Sequence, residues 1–176
     1  MTSPRLEIDL VKIQHNASCL VNDLGRRGIT VTGVTKACLG STEIANALLR
    51  AGVCGLGDSR IENIQAMKVA GVRAPMTLIR SPMISQVHSV VRNADVSFNT
   101  EMDVIASLSV AARDVGRNHG IVLMVELGDL REGILPTDVE GVVRQVLQLP
   151  NIELTGIGTN LACRSGVVPD AKNMNA

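Results

Sequence analysis

The chain has 176 residues, of which 45% are hydrophobic and 19% charged, as is typical of a globular protein with a sizeable core. Seventeen basic and seventeen acidic side chains cancel, so the charge indicates neither a nucleic-acid partner nor an anionic membrane surface. No apolar run approaches the roughly 18 residues of a membrane span. The first residues lack the basic and apolar regions of a signal peptide, and we therefore expect a cytoplasmic protein.

Cysteine, histidine and aromatic residues narrow the chemistry further. The four cysteines include no CxxC pair, so we expect free thiols and no zinc site. The three histidines show no HxxxH spacing and are interpreted as surface or packing residues. Because Phe98 is the only aromatic residue, the core must be aliphatic, and no tyrosine of this chain is available as an acid or base.

Strand and helix patterns alternate along the chain. Residues 5–10 alternate apolar and charged side chains, which predicts a half-exposed strand, and residues 12–26 have the periodicity of an amphipathic helix. Then follow a strand at 30–36 with a helix at 43–51, a strand at 53–58 with a helix at 61–70, a strand at 76–80 with a helix at 83–92, a strand at 96–99 with a helix at 101–115, a strand at 121–127 with a helix at 139–149, and a last strand at 153–160. Ser59 and Glu62 have the spacing of a capping box, which predicts where one helix begins.

This order of elements predicts an α/β fold with a parallel sheet. The chain contains neither GxGxxG nor GxxxxGK[ST], so a (β/α)8 TIM-type barrel is favoured over a dinucleotide-binding sheet. Such a barrel typically needs about 250 residues, and the patterns from Thr30 onward supply six barrel strands. We therefore expect residues 1–176 to form one domain that is most of a barrel, without the last two strand–helix units.

Polar residues stand at the ends of the six strands, where the active sites of barrels lie. They are Lys36, Asp58, Arg80, Asn99, Glu126, Thr159 and Asn160. A lysine at such an end has two interpretations: a desolvated amine that attacks carbonyl carbon, or a side chain that reaches out to water. Together, the cations, amides and carboxylates predict a polar, anionic, carbonyl-bearing ligand.

Several spaced segments resemble one family. Residues 5–10 (RLEIDL), 33–37 (GVTKA), 125–133 (VELGDLREG) and 156–161 (GIGTNL) resemble segments of the alanine racemase family of fold-type III pyridoxal-phosphate enzymes. Residues 57–63 (GDSRIEN) and 128–133 (GDLREG) are most similar to the ornithine racemase branch, which acts on basic amino acids. The resemblance runs from about Arg5 to Pro169 and implies the N-terminal barrel of such an enzyme.

The resemblance implies a function and a set of site residues. The chain would bind pyridoxal 5'-phosphate and take part in racemising a small-molecule amino acid of the ornithine, lysine or alanine type by removing its α-proton. Lys36 would carry the cofactor and serve as one acid/base, and Arg131 would lie beside the cofactor's phenolic oxygen. Thr159 and Asn160 would lie near the phosphate or pyridine, with Asp58, Arg60 and Asn63 near the mouth of the barrel. Residues 1–10 would form a strand that joins a C-terminal domain, and the full-length form would be a homodimer.

The same resemblance leaves alternatives open. Alanine racemases have a tyrosine shortly after the lysine and a second one from the partner's C-terminal domain, and this chain has neither. Cys163 is considered as a second base, but a buried or idle thiol is the favoured interpretation. The other readings are a non-catalytic pyridoxal-phosphate homeostasis protein with the same barrel, and an inactive fragment. Three carboxylates are candidates to bind a basic substrate side chain, and the sequence does not rank them: Asp58, Glu126 and Asp129.

Overall fold

The computed structural model describes residues 4–160, 168, 170 and 171. The strands are β1 (Thr32–Val34), β2 (Gly55–Asp58), β3 (Met76–Leu78), β4 (Val96–Asn99), β5 (His119–Val125) and β6 (Ile152–Thr159). The helices are α1 (Leu10–Gly25), α2 (Thr42–Arg50), α3 (Ile61–Val69), α4 (Val87–Asn93), α5 (Met102–Val115) and α6 (Val139–Val146). Short 3-10 turns cover Lys36–Cys38 and Ile84–Gln86.

The strands form a six-stranded sheet in the order β1-β2-β3-β4-β5-β6. The pairings β1–β2, β3–β4, β4–β5 and β5–β6 are parallel, as short strand–helix–strand connections require. The prediction of a parallel α/β fold is therefore confirmed. The carboxyl ends of the strands carry the polar residues named above, so the fold places them where parallel sheets bind ligands.

The start of the chain differs from the prediction. Residues 4–9 are exposed and belong to no strand, and α1 begins at Leu10. The Asp9 carboxylate accepts hydrogen bonds from the backbone N–H of Val11 (3.0 Å) and Lys12 (3.1 Å), which caps α1. The alternation in residues 5–10 therefore has no strand partner among the described residues, and its pairing with a further domain stays a prediction.

The chain consists of two compact units, Met1–Met76 and Thr77–Ala176, each with its own core. In the first unit the largest fully buried side chains are Leu56, Ile64, Met67 and Met76, which come from β2, α3 and β3. The single domain predicted from the sequence is not tested by this division. As predicted, the buried hydrophobic side chains are aliphatic.

The core of the second unit combines aliphatic side chains with a polar cluster. Ile105, Leu108, Ile121 and Leu123 are fully buried. His119, also fully buried, lies with its Nε2 2.9 Å from the Ser97 hydroxyl. Burial lowers the pKa of His119 to about 4, and the Arg117 cation acts in the same direction. The sequence interpretation of this histidine as a packing residue therefore holds.

No helix in the described part of the chain is both long and apolar enough to span a membrane.

Candidate functional site

Lys36 lies on a tight turn directly after β1. The carbonyl of Thr35 accepts hydrogen bonds from the backbone N–H of Cys38 (3.0 Å) and Gly40 (3.2 Å), which fold the chain back over one helical turn. Gly40 has φ +70°, and a Cβ there would lie 3.0 Å from the Cβ of Asn63, so the turn packs closely on α3. Lys36 itself is exposed, and within the described residues its amine has neither a hydrogen bond nor an ion pair. One interpretation of the sequence is an amine desolvated by burial. The described residues do not bury the Lys36 amine in this way.

Asp58, at the end of β2, is the buried centre of the first unit's polar residues. It has no exposed surface, and its Oδ2 accepts from the Thr35 hydroxyl at 2.8 Å. Its Oδ1 accepts from the backbone N–H of Arg60 (2.9 Å) and from Nδ2 of Asn63 (3.0 Å). Both carboxylate oxygens are thus engaged by protein donors, which makes Asp58 unsuited to bind a substrate's cationic side chain.

The structure therefore brings Thr35, Lys36, Asp58 and Asn63 together, and it places the Arg60 side chain differently. Arg60 contributes its backbone N–H to Asp58 while its side chain is exposed. Arg60, and not Ser59, is the residue that precedes α3, and its side chain makes no capping hydrogen bond. The helix therefore begins one residue later than the capping box of Ser59 and Glu62 predicts, and Asp58 accepts from the Arg60 backbone N–H at the helix entry.

In the second unit, residues 126–134 form a folded loop after β5. The backbone N–H of Glu126 donates to the Ile134 carbonyl (2.9 Å), and that of Ile134 donates to the Met124 carbonyl (2.8 Å). The Glu126 carboxylate accepts from the backbone N–H groups of Leu130 (3.1 Å) and Gly128, and the Leu130 contact is the main cause that lowers the pKa of Glu126. Glu126 is therefore engaged by its own loop.

Arg131 is held on this loop by two carboxylates. Its Nε lies 3.6 Å from Oδ2 of Asp129, and its Nη2 donates to Oε1 of Glu132 at 3.3 Å. The same Glu132 oxygen accepts from Nδ2 of Asn160 at 3.0 Å, so it joins Arg131 to the residue after β6. The Asp129 side chain is 7% exposed and the Arg131 side chain 50% exposed, which leaves part of the guanidinium open to a ligand. Of the three carboxylates left unranked by the sequence, none is without a protein partner.

Thr159 belongs to a different environment from Arg131. Its hydroxyl donates to the Val125 carbonyl at 2.9 Å, which uses its only proton. It also lines a groove of about 350 Å³ formed mainly by apolar residues of β5, β6, α6 and the loop after β5, including Leu127, Val139 and Ile157. Among the described residues no charged side chain lines this groove, so none of them places a cation beside Thr159 there.

Sequence reasoning missed two residues that hold the others in place. Thr35 is a polar residue at the end of an apolar strand, directly before the lysine. This position in the sequence could have indicated that it holds the lysine in place. Glu132 follows Arg131 in the chain, but its contact with Asn160 joins segments 28 residues apart and leaves no local pattern. Cys163 lies outside the described residues.

Each unit has donor groups that fit one part of an anionic, aldehyde-bearing cofactor. The Lys36 amine has three N–H donors, and Arg131 has five, of which the described ion pairs use part. Asn160 has a second amide N–H beyond the one given to Glu132. In the first unit, the Lys36 amine, unpaired within the described residues, is the kind of group that holds an aldehyde. In the second unit, the partly exposed Arg131 guanidinium is the kind of group that holds an anion. Within the described residues, no group of three or more His, Cys, Asp or Glu side chains is suited to a metal ion.

The fold and these residues define an α/β protein with a free lysine at the carboxyl end of its first sheet strand. Residues 8–175 match the family "Alanine racemase, N-terminal domain". The chain therefore belongs to this family, and the resemblance found in the sequence is confirmed.

Two curated relatives cover nearly the whole chain. A lysine racemase from Thermotoga maritima is 39% identical over 96% of this chain and 47% of its own length. An ornithine racemase from Acetoanaerobium sticklandii is 34% identical over 98% of this chain and 48% of its own length. The chain thus spans about half the length of the curated relatives it matches.

Solved structures share the fold at low sequence identity. A D-threonine aldolase from Filomicrobium marinum superposes with a TM-score of 0.79 at 16% identity, covering 89% of this chain and 43% of the other. The alanine racemase from D-cycloserine-producing Streptomyces lavendulae gives a TM-score of 0.77 at 22% identity, covering 92% and 44%. The barrel class predicted from the sequence is therefore confirmed. Because the two enzymes carry different names, the fold alone does not select a reaction.

Proposed function

We propose that this chain is the cofactor-binding part of a pyridoxal-phosphate-dependent amino-acid racemase that acts on ornithine, lysine or a related amino acid. The observation that carries the proposal is the 39% identity to a lysine racemase over 96% of the chain. The exposed Lys36, unpaired within the described residues and set on a fixed turn, supports it independently. The homodimer and the cytoplasmic location expected from the sequence belong to the same proposal, as properties of the full-length protein.

In this proposal each site residue has a physical role. Pyridoxal phosphate, when bound, supplies an electron sink that makes the α-proton of an attached amino acid removable. Lys36 holds the cofactor through its amine and afterwards accepts or returns the α-proton at Nζ. Arg131 keeps a fixed positive charge, held by Asp129 and Glu132, beside the cofactor's phenolic oxygen. Asn160 donates toward the phosphate or pyridine with its remaining N–H.

The other predicted residues take supporting roles in the proposal. Thr159 orients the end of β6 by its bond to Val125, with its hydroxyl oxygen still able to accept. Asn63 and Arg60 line the mouth of the barrel beside the lysine turn. A racemase needs a proton donor on each face of the reacting carbon, and the chain has no tyrosine. The second acid/base is therefore either a residue other than tyrosine within these 176 residues or a residue from outside them.

The proposal is tested by following the α-proton in D2O. The full chain with added pyridoxal phosphate is incubated with L-ornithine, L-lysine or L-alanine. Proton NMR reports exchange of the α-proton, and chiral chromatography reports inversion. We expect Lys36→Ala to lower the exchange rate by about 100-fold to 10,000-fold, the contribution of a positioned acid/base. Lys12→Ala, which removes a lysine 81% exposed on α1, should have the wild-type rate.

The outcomes separate the competing functions. Exchange without inversion would mean that Lys36 works on one face and that the second acid/base is absent. Cofactor binding without exchange of any amino acid would favour the non-catalytic homeostasis protein. Undiminished exchange in Lys36→Ala would refute the proposed role of this lysine.

A further inference from the structure

A buried carboxylate, that of Asp58, lies beside the lysine turn. Asp58 is fully buried, and no lysine, arginine or histidine in the described ranges forms an ion pair with it. Three donors satisfy it instead: the Thr35 hydroxyl, the Arg60 backbone N–H and the Asn63 amide. Removing a charge from water is unfavourable unless hydrogen bonds replace the water. An arrangement of this kind fixes the groups around it.

Two of the three donors border the lysine turn, Thr35 at its start and Asn63 against Gly40. Thr35 immediately precedes the lysine and is itself fully buried. Its backbone N–H donates to the Gly57 carbonyl at 2.9 Å, and its hydroxyl reaches the same carbonyl at 3.3 Å as well as Asp58. Its own carbonyl closes the turn through Cys38 and Gly40. Thr35 is thus held by hydrogen bonds of its N–H, its hydroxyl and its carbonyl. These bonds fix the position of the Lys36 backbone, which follows it directly.

We propose that Asp58 and Thr35 are positioning residues that fix the Lys36 backbone, so that the amine meets a cofactor aldehyde from a single direction. This inference rests on the proposed function of Lys36 and adds residues to it. Asp58 then touches neither substrate nor cofactor, and it acts through Thr35. The Lys36 side chain is exposed, so burial does not restrict it. Its fixed backbone is what directs the amine toward the aldehyde.

A simpler role for Asp58 is to stabilise the entry to α3. That role uses Oδ1, which accepts from Arg60 and Asn63, whereas positioning of the lysine uses Oδ2, which accepts from Thr35. The two roles are therefore separable at Thr35. Thr35→Val removes the hydroxyl and keeps the side-chain shape, and Thr35→Ser restores the hydroxyl.

The test measures covalent labelling by pyridoxal 5'-phosphate itself. The lysine amine condenses with the aldehyde carbon and releases one water, and added borohydride then delivers hydride to the carbon–nitrogen double bond and makes the link permanent. Peptide mass spectrometry compares the labelling rates of Lys36 and Lys12 in the same molecules, so Lys12 serves as an internal standard. The full chain is used, and circular dichroism verifies that each variant is folded.

We expect Lys36 to be labelled faster than Lys12 in the wild type. Thr35→Val should lower the Lys36-to-Lys12 ratio by about tenfold, since small misplacements of a reacting group have effects of this size. Thr35→Ser should restore most of the ratio. The matched control is Thr155→Val, which removes a hydroxyl bonded to the Ile121 carbonyl at 2.9 Å in the second unit and should leave the ratio unchanged.

Each result supports or overturns the inference. A wild-type ratio in Thr35→Val, or an equal loss in Thr155→Val, would overturn the positioning role and leave the proposed function intact. No preference for Lys36 in the wild type, with total uptake unchanged in Lys36→Ala, would overturn both. Should Thr35→Val fail to fold, the labelling ratio is measured in Thr35→Ala instead. This variant removes the same hydroxyl without adding a methyl group.

Discussion

Arg131 shows how charge and geometry are separate requirements at a single residue. Its Nε faces Asp129 and its Nη2 faces Glu132, so two atoms of one planar group hold two carboxylates. A lysine has the same charge but presents one ammonium, which does not reproduce this fork. The position of the charge therefore depends on arginine itself.

If the proposed function is correct, Arg131→Lys should lower kcat/KM for racemisation by about 10-fold to 100-fold, the value of a hydrogen bond to a charged group. The loss follows because the lysine keeps the charge but leaves one carboxylate without its partner. The control is Arg144→Lys on α6, where Arg144 pairs with Glu140 at 2.6 Å in an exposed position. Such surface pairs contribute little, so this variant should keep the wild-type rate. Equal losses in both variants would contradict a specific role for Arg131.

The position of Lys36 at a strand end could be predicted, whereas the contacts of Thr35 and Asp58 could not. The run of β-branched residues before Lys36 ends locally, and a strand end is visible in one short window. The hydrogen bond between Thr35 and Asp58 joins residues 23 apart and depends on the parallel register in which Val34 pairs with Gly57. A single sequence contains the strands but does not state which residue faces which.

At the scale of elements, the end of the loop after β5 hydrogen-bonds to the beginning of the same loop. Residue 134 bonds to both Met124 and Glu126, so the loop returns alongside the strand that it leaves. Gly133 makes this return possible: it has φ +151°, and a Cβ there would lie 2.4 Å from the Glu126 nitrogen. The sequence indicated a loop here, but the close approach appears only in the structure, because it joins residues that share no local pattern.

We expect Gly133→Ala to lower the free energy of unfolding by about 2–4 kcal/mol, because it combines backbone strain with a clash against backbone atoms that cannot move aside. Urea unfolding followed by circular dichroism measures the change. Gly141→Ala on α6 is the matched control: its Cβ would meet nothing within 4 Å, and alanine favours a helix over glycine by about 1 kcal/mol. The two variants should therefore shift the urea midpoint in opposite directions. A Gly133→Ala midpoint at or above that of the wild type would refute the close approach.

At the scale of the whole molecule, a hydrophobic count of 45% predicted a core, but not the polar cluster within it. Ser97, Asn99 and His119 are fully buried on β4 and β5. The Asn99 amide donates to the carbonyl and the hydroxyl of Ser97, both at 2.9 Å, and the same hydroxyl lies against His119. Serine and asparagine on alternate positions of β4 share one face of the strand, which the pattern shows. Their partner on β5 is His119, and the strand register places it there. The register pairs Ser97 with Ile121, and His119 lies two residues before Ile121 on the same face.

This cluster makes the stability of the fold depend on pH. The pKa of His119 is about 4 in the folded chain, because burial and the Arg117 cation oppose the charged form more than Asp95 favours it. In the unfolded chain the pKa returns to about 6.5, so the unfolded state takes up the proton first as the pH falls. The stabilisation is therefore complete above pH of about 6.5 and is lost progressively toward pH of about 4.

We predict that the free energy of unfolding falls by about 2 kcal/mol from this residue between pH 7.5 and pH 5.0, since one pKa unit corresponds to about 1.4 kcal/mol. Urea unfolding at the two pH values measures the change. His88→Gln, which alters an exposed histidine on α4, should keep the full dependence, while His119→Gln should lose about 2 kcal/mol of it. Comparing each variant with itself at the two pH values cancels the packing cost of replacing a buried ring. The same drop in His119→Gln as in the wild type would assign the dependence to other groups, and the buried imidazole would then have to be charged in the folded chain.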